Sequence, residues 1–350
     1  MISQVLDFRI TKIIPETHEA STFVLEEIGG KKVFYKAGQF ITFIFQLNGF
    51  EVRRSYSLSS APGVDKQISI TVKRVRNGQV SRYLLDHCRA GDILTALAPS
   101  GKFVPDKQIT AQSDIFLLAA GSGIIPVYAL LRDILHHSPG VSVILVYQNH
   151  TERDTIFRKE LEQMAIQYAH RFTWLDFVSV PHSPLRSSRR LNNEQLETII
   201  SEKVGINRSN AKFFVCGPTA FMRMCQFTIL LMGFDEEQIR KEFFVIDEPP
   251  PPPLIEDIRP RRVTVHAGDQ MLTFTIEYPQ TILQSALDQS IALPYSCRGG
   301  RCSTCVAKCL EGEIKMSVND VLTQNDLAQG LVLTCVGYAA SDIELAFDNK

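Results

Sequence analysis

The run "YSCRGGRCSTCVAKC", Tyr295 to Cys309, decides how this chain of 350 residues is read. Four of the eight cysteines fall inside it, and a fifth, Cys335, follows further on. Cys297, Cys302 and Cys305 are spaced C-x4-C-x2-C, and 29 residues separate Cys305 from Cys335. Four thiolates at that spacing suit a [2Fe–2S] cluster, whose two irons take four cysteine ligands. The intervening "RGGR" fits a backbone that wraps a cluster closely, with Gly299 and Gly300 free to adopt dihedrals other residues resist. A structural zinc site is the alternative, but it usually shows two C-x2-C-like pairs and only one is present. Cys309 lies at period two in the strand-like "CVAKCL" and is expected to be a small buried strand residue. Arg298 and Arg301 are read as solvated or as salt-bridging a partner.

The rest of the composition is that of an ordinary globular protein, 45% hydrophobic and 21% charged. A net charge of −1 argues against nonspecific binding to nucleic acid or to an anionic membrane. The opening "MISQVLDFRITKIIPETHEA" lacks the basic start and apolar core of a signal peptide. No apolar run reaches the roughly 18 residues of a membrane-spanning helix. A cytoplasmic location is therefore expected, where thiols stay reduced and clustered cysteines point to metal.

Working backwards from the cysteines, "EPPPPPL" separates them from what precedes. Pro249 to Pro253 cannot continue a helix or a central strand, and a polyproline spacer of roughly 15 Å is expected. Residues 254–350 carry 8 Lys and Arg against 12 Asp and Glu and have their own strands, "RRVTVHAG", "MLTFTIEY" and "DIELAFD". This is read as a separate acidic domain. Residues 1–106 hold short runs ("QFITFIFQL", "QISITVKRV", "DILTALAP") between turn signals, as in an antiparallel sheet or barrel. Residues 107–248 alternate instead. "DIFLLAAG", "VSVILVYQ" and "KFFVCG" read as buried parallel strands, "IPVYALLRDILHH" and "TIFRKELEQMAIQYA" as amphipathic helices and "AFMRMCQFTILLMG" as a further helix, giving an α/β sheet.

Three further motifs carry chemistry. "RRSYSLSSAP" holds Arg54-Ser55-Tyr56-Ser57, and "TVKRVRNGQVSRYL" supplies Val72, Lys73 and then Gly78-Gln79-Val80-Ser81 at a helix start. A glycine there lets phosphate approach free backbone N–H groups, and Ser81 adds a hydroxyl. "LLAAGSGIIPVYALL" places Gly121-Ser122-Gly123 after an apolar strand and Pro126 in a first helical turn, the setting in which a dinucleotide pyrophosphate meets the backbone. "FFVCGPTAFM" puts Cys216-Gly217-Pro218 at another strand's C-terminal end, where such sheets bind ligands. The paired His136 and His137 sit at a helix end and lack the i, i+4 spacing of a metal pair. His87, His182 and His266 have no partner in view, and Arg186, Arg189 and Arg190 read as a solvated loop.

Taken in order, these motifs resemble the ferredoxin–NADP reductase family fused to a plant-type ferredoxin domain, as in reductases that serve oxygenases. "LPYSCRGGRCSTC" and "LTCVGYAASD" are similar to that ferredoxin's cluster loop and final-cysteine segment. The resemblance implies a flavin-binding antiparallel β-barrel, an NAD(P)-binding α/β domain and a β-grasp-like ferredoxin domain. It implies electron flow from NADH or NADPH through FAD and the [2Fe–2S] cluster to a protein acceptor, an oxygenase component. Arg54 and Ser55 would contact the flavin, Tyr56 pack on its ring and Ser57 lie near its reactive nitrogen; Val72, Lys73, Gly78, Val80 and Ser81 would also bind it. Gly121, Ser122, Gly123, Pro126, Cys216, Gly217 and Pro218 would hold the nicotinamide nucleotide, and Ser57 and Cys216 would be the catalytic residues. Ile125 stands where the family often has Thr. Glu242-Phe243-Phe244 resembles the end of the reductase module, with an aromatic near the flavin. FMN in place of FAD, and a redox-sensing or adaptor subunit, are the other readings of the same modules.

Overall fold

The computed structural model of the chain describes residues 5–47, 49–105, 109–110, 112–181, 189–205, 208–244, 250–267 and 270–347. Alternating apolar residues build the first sheet. It comprises β1 (Val5–Thr17), β2 (Ala20–Glu27), β3 (Phe40–Leu47), β4 (Phe50–Ser57), β5 (Ile68–Lys73) and β6 (Ile93–Ser100), with α1 (Gln79–His87) between the last two. The strands are antiparallel in the order β4-β3-β6-β1-β2-β5. Leu6, Phe8 and Ile10 point inward at period two, while Val5 and Arg9 between and beside them stay exposed. An antiparallel bridge from Leu58 to Ile70 links the two edges, which blunts both and rolls the sheet towards a barrel.

The second sheet is wholly parallel, in the order β11-β10-β7-β8-β9. Its strands are β7 (Asp114–Ala120), β8 (Ser142–Asn149), β9 (Phe172–Val178), β10 (Ala211–Cys216) and β11 (Ile239–Glu242), and its helices are α2 (Ile124–His137), α3 (Arg158–Gln167), α4 (Asn193–Lys203) and α5 (Thr219–Leu231). Ile115, Leu117 and Ala119 enter one core with α2 and α3; Phe116, Leu118 and Ala120 enter another with α4 and α5. Both faces are covered, which is why these strands read as unbroken apolar runs. Two helices differ from expectation. α2 is buried nearly all round and is not amphipathic. α3 starts at Arg158, three residues late, because Phe157 takes a left-handed conformation (φ 61°) that no helix can include.

The barrel and the parallel sheet share part of one core. Phe103 packs edge-on against Phe214 with ring centroids 5.6 Å apart, and Arg132 of α2 grips Asp65 through two bonds of 2.6 and 2.9 Å. A Cβ at Gly38 (φ +86°) would lie 1.9 Å from the Phe103 carbonyl oxygen, so only glycine permits this approach.

Pro250 to Pro253 lie in a stretch without helix or strand that runs to Pro260; Pro249 falls outside the described residues. Beyond it come β12 (Arg261–Ala267), β13 (Gln270–Ile276), α6 (Ile282–Asp288), β14 (Val306–Glu311), β15 (Ile314–Met316), α7 (Gln324–Ala328), β16 (Leu331–Leu333), β17 (Gly337–Ala339) and β18 (Ile343–Phe347). They form a sheet β13-β12-β18-β14-β16 and a small β15-β17 pair. Ile282, Leu283 and Ala286 of α6 pack onto Val263, Val265 and Leu345 of the sheet, the helix-on-sheet core of a β-grasp. The fold class read from the sequence is the one observed.

Candidate electron-transfer centre

The barrel and the parallel sheet meet at three strand ends. Ser57 closes β4, Cys216 closes β10 and Glu242 closes β11, with Cys216 paired in register to Glu242 on one side and to Ala119 on the other. Ser57 Oγ donates to Glu242 Oε2 at 2.7 Å across 185 residues of sequence. Burial pushes the Glu242 carboxyl from its ordinary 4.5 up to about 8, against a smaller opposing pull from the Ser57 hydroxyl. Glu242 therefore holds a proton at neutral pH. The Cys216 thiol is fully buried; burial first, and then the neighbouring Glu242, hold its pKa well above the usual value. It is a neutral thiol, unsuited to thiolate chemistry.

This arrangement has a pH consequence. A carboxyl whose pKa rises on folding contributes stability fully below about 4.5 and loses it as pH climbs towards 8. The cost of the ionised form is on the order of 5 kcal/mol. Glu242→Gln is expected to flatten the fall in melting temperature between pH 5 and pH 8 that the unsubstituted protein shows. Equal slopes for the two proteins in a thermal-denaturation series would remove the assignment.

The loop after β7 is a tight turn, Gly121 to Gly123, that runs straight into α2. Gly121 needs its positive φ of 55°, and its carbonyl accepts the Tyr147 hydroxyl at 3.2 Å. Gly123 is needed for another reason: its φ is an ordinary −60°, but a Cβ there would sit 2.1 Å from the Cys216 carbonyl oxygen. The glycine loop and the Cys216-Gly217-Pro218 turn are thus pressed together, with Ala120 Cβ only 3.0 Å from where a Cβ on Gly217 would be. Pro126 lies in the first turn of α2, where its missing N–H has no helical partner to lose. Ile125 is buried, so the position offers no hydroxyl to a ligand. A helix N-terminus against a glycine cradle fits a dinucleotide pyrophosphate.

On the barrel, Arg54 is exposed on β4, and Tyr56 is half-buried with its ring 6.2 Å from Phe43. α1 starts after Gly78 with no side chain capping its first amides, which suits them to a phosphate. The Ser81 hydroxyl is buried and already accepts the Val75 N–H at 3.2 Å. Val72 and Val80 are buried in the barrel core, so only their backbones could meet a ligand. Lys73 ends β5. Ser55 pairs with Thr42 at 2.9 Å and also with Ser296 of the cysteine loop, a contact no sequence pattern announced.

A cavity of about 570 Å³ opens beneath these strand ends. Arg54, Ser57, Glu242 and Phe243 line it together with Cys297 and Cys302. The Cys297 side chain lies within bonding reach of Cys302 and Cys335, and Cys305 within reach of Cys335. The Cys297 and Gly299 amides each approach a sulfur at 3.4 Å. Four thiols strung in mutual contact, with amides directed at sulfur, fit a two-iron cluster better than one zinc. The loop's left-handed positions are Arg298 (φ 54°), Gly300 (φ 72°) and Ser303 (φ 57°), so of the two expected glycines only Gly300 uses its special freedom.

Cys309 is only half-buried in β14, and its thiol donates to the Glu311 carbonyl at 3.3 Å, apart from the cluster thiols. Arg301 pairs with Asp320 at 2.8 Å and lies over the Phe243 ring at 5.4 Å. His137 pairs with Asp133 on its own helix, and His266 with Glu344 on the neighbouring strand. Arg189 rests over the Phe177 ring at 5.2 Å, while His182 and Arg186 lie outside the described residues. Glu242 is the residue whose role the sequence reading missed. Its signal was its place at the end of a short strand beside Cys216.

Comparison with known proteins agrees with this geometry. Residues 7–104 match an oxidoreductase FAD-binding domain, 117–226 an oxidoreductase NAD-binding domain and 265–340 a 2Fe-2S iron-sulfur cluster binding domain. The chain is 32% identical to the ferredoxin reductase component of 3-ketosteroid-9-alpha-monooxygenase from Mycobacterium tuberculosis, over 98% of this chain and 96% of that one. It is 30% identical to a subunit of the 1,2-phenylacetyl-CoA epoxidase of Escherichia coli, over 97% of each. The solved structure of phthalate dioxygenase reductase shares the fold at a TM-score of 0.60 and 22% identity, covering 98% of this chain and 97% of that one.

The chain belongs to the family of flavin and iron–sulfur reductases that includes these oxygenase components. It is an NAD(P)H-dependent oxidoreductase that passes electrons through FAD and a [2Fe–2S] cluster; the FMN, zinc and adaptor readings are not favoured. No helix among the described residues is long and apolar enough to cross a membrane.

Proposed function

We propose that this chain is the reductase component of a multicomponent oxygenase and delivers its electrons to the oxygenase component from the cluster side of the cavity. The carrying observation is that cavity itself, whose lining holds Ser57 and Glu242 as well as Cys297 and Cys302. When bound, the flavin supplies the conversion of a hydride's electron pair into single electrons that a cluster accepts. The chain's own residues provide position. The α1 amides after Gly78, with Arg54, hold the flavin's phosphates, and Tyr56 packs against its ring. The Gly121–Gly123 turn and the Cys216-Gly217-Pro218 turn hold the nicotinamide nucleotide at the β7 and β10 ends. Ser57, held by the bond its hydroxyl donates to Glu242, would lie near the flavin's reactive nitrogen. Cys297, Cys302, Cys305 and Cys335 hold the cluster.

The working units are residues 1–106 for flavin, 107–248 for nucleotide and 254–350 for the cluster, tethered by 249–253, and the location is cytoplasmic. NADH is at least as good a donor as NADPH. Past the end of β8, where reductases of this family often carry a basic or hydroxyl residue for a 2′-phosphate, the Thr151 N–H and hydroxyl both go to Asp154 Oδ2, at 3.0 and 2.7 Å, so the hydroxyl is occupied and carboxylates stand beside Arg153. A kcat/KM for NADPH more than about tenfold above that for NADH, or ~1.4 kcal/mol, would refute this. The oxygenase assignment is tested by reconstitution with purified oxygenase components from the same cell. NADH consumption should couple to hydroxylated product with one of them; uncoupled oxidation with all of them would overturn it.

A further inference from the structure

The cysteine loop is held to the flavin strand by contacts that neither cofactor requires. Arg53 of β4 places its guanidinium carbon 4.0 Å from the centre of the Tyr295 ring, and its Nη1 donates to the Tyr295 carbonyl at 3.4 Å. Arg298 lies over the same ring at 4.5 Å. Cation–aromatic contacts of this kind gain strength where water is partly excluded, and the Arg53 side chain is only 19% exposed. Arg298 reaches the ring from a left-handed backbone position, which a non-glycine residue adopts at a cost. Ser55 and Ser296 meet beside this stack, and Lys102 pairs with Asp326 at 2.5 Å further along the interface.

The placement of these contacts carries the argument. Arg53 adjoins Arg54 on the strand that ends at Ser57, and Tyr295 stands two residues before Cys297. Of the four cluster cysteines, Cys305 and Cys335 are buried, whereas Cys297 and Cys302 are the partly open pair and line the cavity shared with Ser57. The clamp thus fixes the open edge of the cysteine loop against the strand end. We propose that Tyr295, clamped between Arg53 and Arg298, is a positioning residue that sets the register of the iron–sulfur domain for electron transfer from flavin to cluster. This rests on the electron route stated above. The step would move one electron from flavin already reduced by NAD(P)H to the cluster, the flavin being oxidised by one electron and one ferric iron reduced; no bond is made or broken. Its rate depends on how closely and how steadily the two sites face each other, because electron transfer slows as they separate.

The test uses the full-length holoprotein and the variants Tyr295→Leu and Tyr295→Phe, with Lys102→Glu as a second probe of the same interface that leaves the cysteine loop untouched. Anaerobic stopped-flow mixing with NADH reads flavin bleaching and cluster reduction separately, and small-angle scattering reads the maximum dimension. Tyr295→Leu is expected to keep the cluster's absorption spectrum and the flavin bleaching rate. It is also expected to slow cluster reduction by about tenfold, ~1.4 kcal/mol in barrier, and to lengthen the particle. Tyr295→Phe, which retains the ring face and the backbone carbonyl, should restore both readings. Lys102→Glu should lengthen the particle and slow the same step. Cluster reduction in Tyr295→Leu as fast as in the unsubstituted chain, at unchanged dimension, overturns the proposal. A cluster that NADH never reduces in the unsubstituted chain overturns the electron route instead, and the clamp with it.

Discussion

Replacing any one of Cys297, Cys302, Cys305 or Cys335 with Ser is expected to abolish or visibly alter the iron–sulfur absorption of the purified chain, while Cys309→Ser leaves it intact. The four thiols touch one another in a chain of contacts, and two backbone amides approach their sulfurs at 3.4 Å. A serine hydroxyl is a harder, more basic ligand than a thiolate and sits on a shorter bond, so it holds the irons poorly. Cys309 has its thiol committed to the Glu311 carbonyl. Iron content should drop strongly in the four ligand variants and stay level in the fifth. Cluster loss in Cys309→Ser equal to that in the others would break the ligand assignment.

Gly123→Ala is expected to be the most damaging single substitution in the nucleotide domain. The added methyl would overlap the Cys216 carbonyl oxygen at 2.1 Å and crowd the Gly217 nitrogen at 2.8 Å. Neither neighbour is a flexible side-chain end; both are backbone at the end of a central strand, so the whole turn must shift. A displaced turn costs stability of about 1–3 kcal/mol and moves the amides that meet the pyrophosphate. KM for NAD(P)H should rise at least about tenfold, an affinity loss of ~1.4 kcal/mol. A variant with unchanged KM and melting temperature would show that the two turns are not pressed together.

What the sequence made legible was local. The cysteine spacing, the glycine turn after an apolar strand and the Arg54–Ser57 run each sit within a few residues, and each forms where its pattern predicted. The long-range pairings had no such signature. Ser57 meets Glu242 across 185 residues, and Tyr295 meets Arg53 across 242. The barrel and the parallel strand order bring the first pair together, and the packing of the iron–sulfur domain against β4 the second. Local patterns also left things unsaid. Val72 and Val80 fall within the flavin motif, yet their side chains are core, because a strand and a helix that present backbone to a ligand must bury their other face. Ser55 was expected on the flavin and also pairs with the cysteine loop. Phe157 delays α3 through a backbone turn that no apolar periodicity reveals.

The central claim is that electrons leave through the cluster. Cutting the chain after Glu248 and comparing two acceptors tests it most directly. The residues assigned to flavin and nicotinamide nucleotide all precede the cut, so NADH-driven reduction of ferricyanide should continue at its full-length rate. Reduction of cytochrome c, a one-electron protein acceptor, should fall strongly, because its route runs through Cys297, Cys302, Cys305 and Cys335. Cytochrome c reduction by the shortened chain at the rate of the whole one would contradict the account and move the exit to the flavin itself.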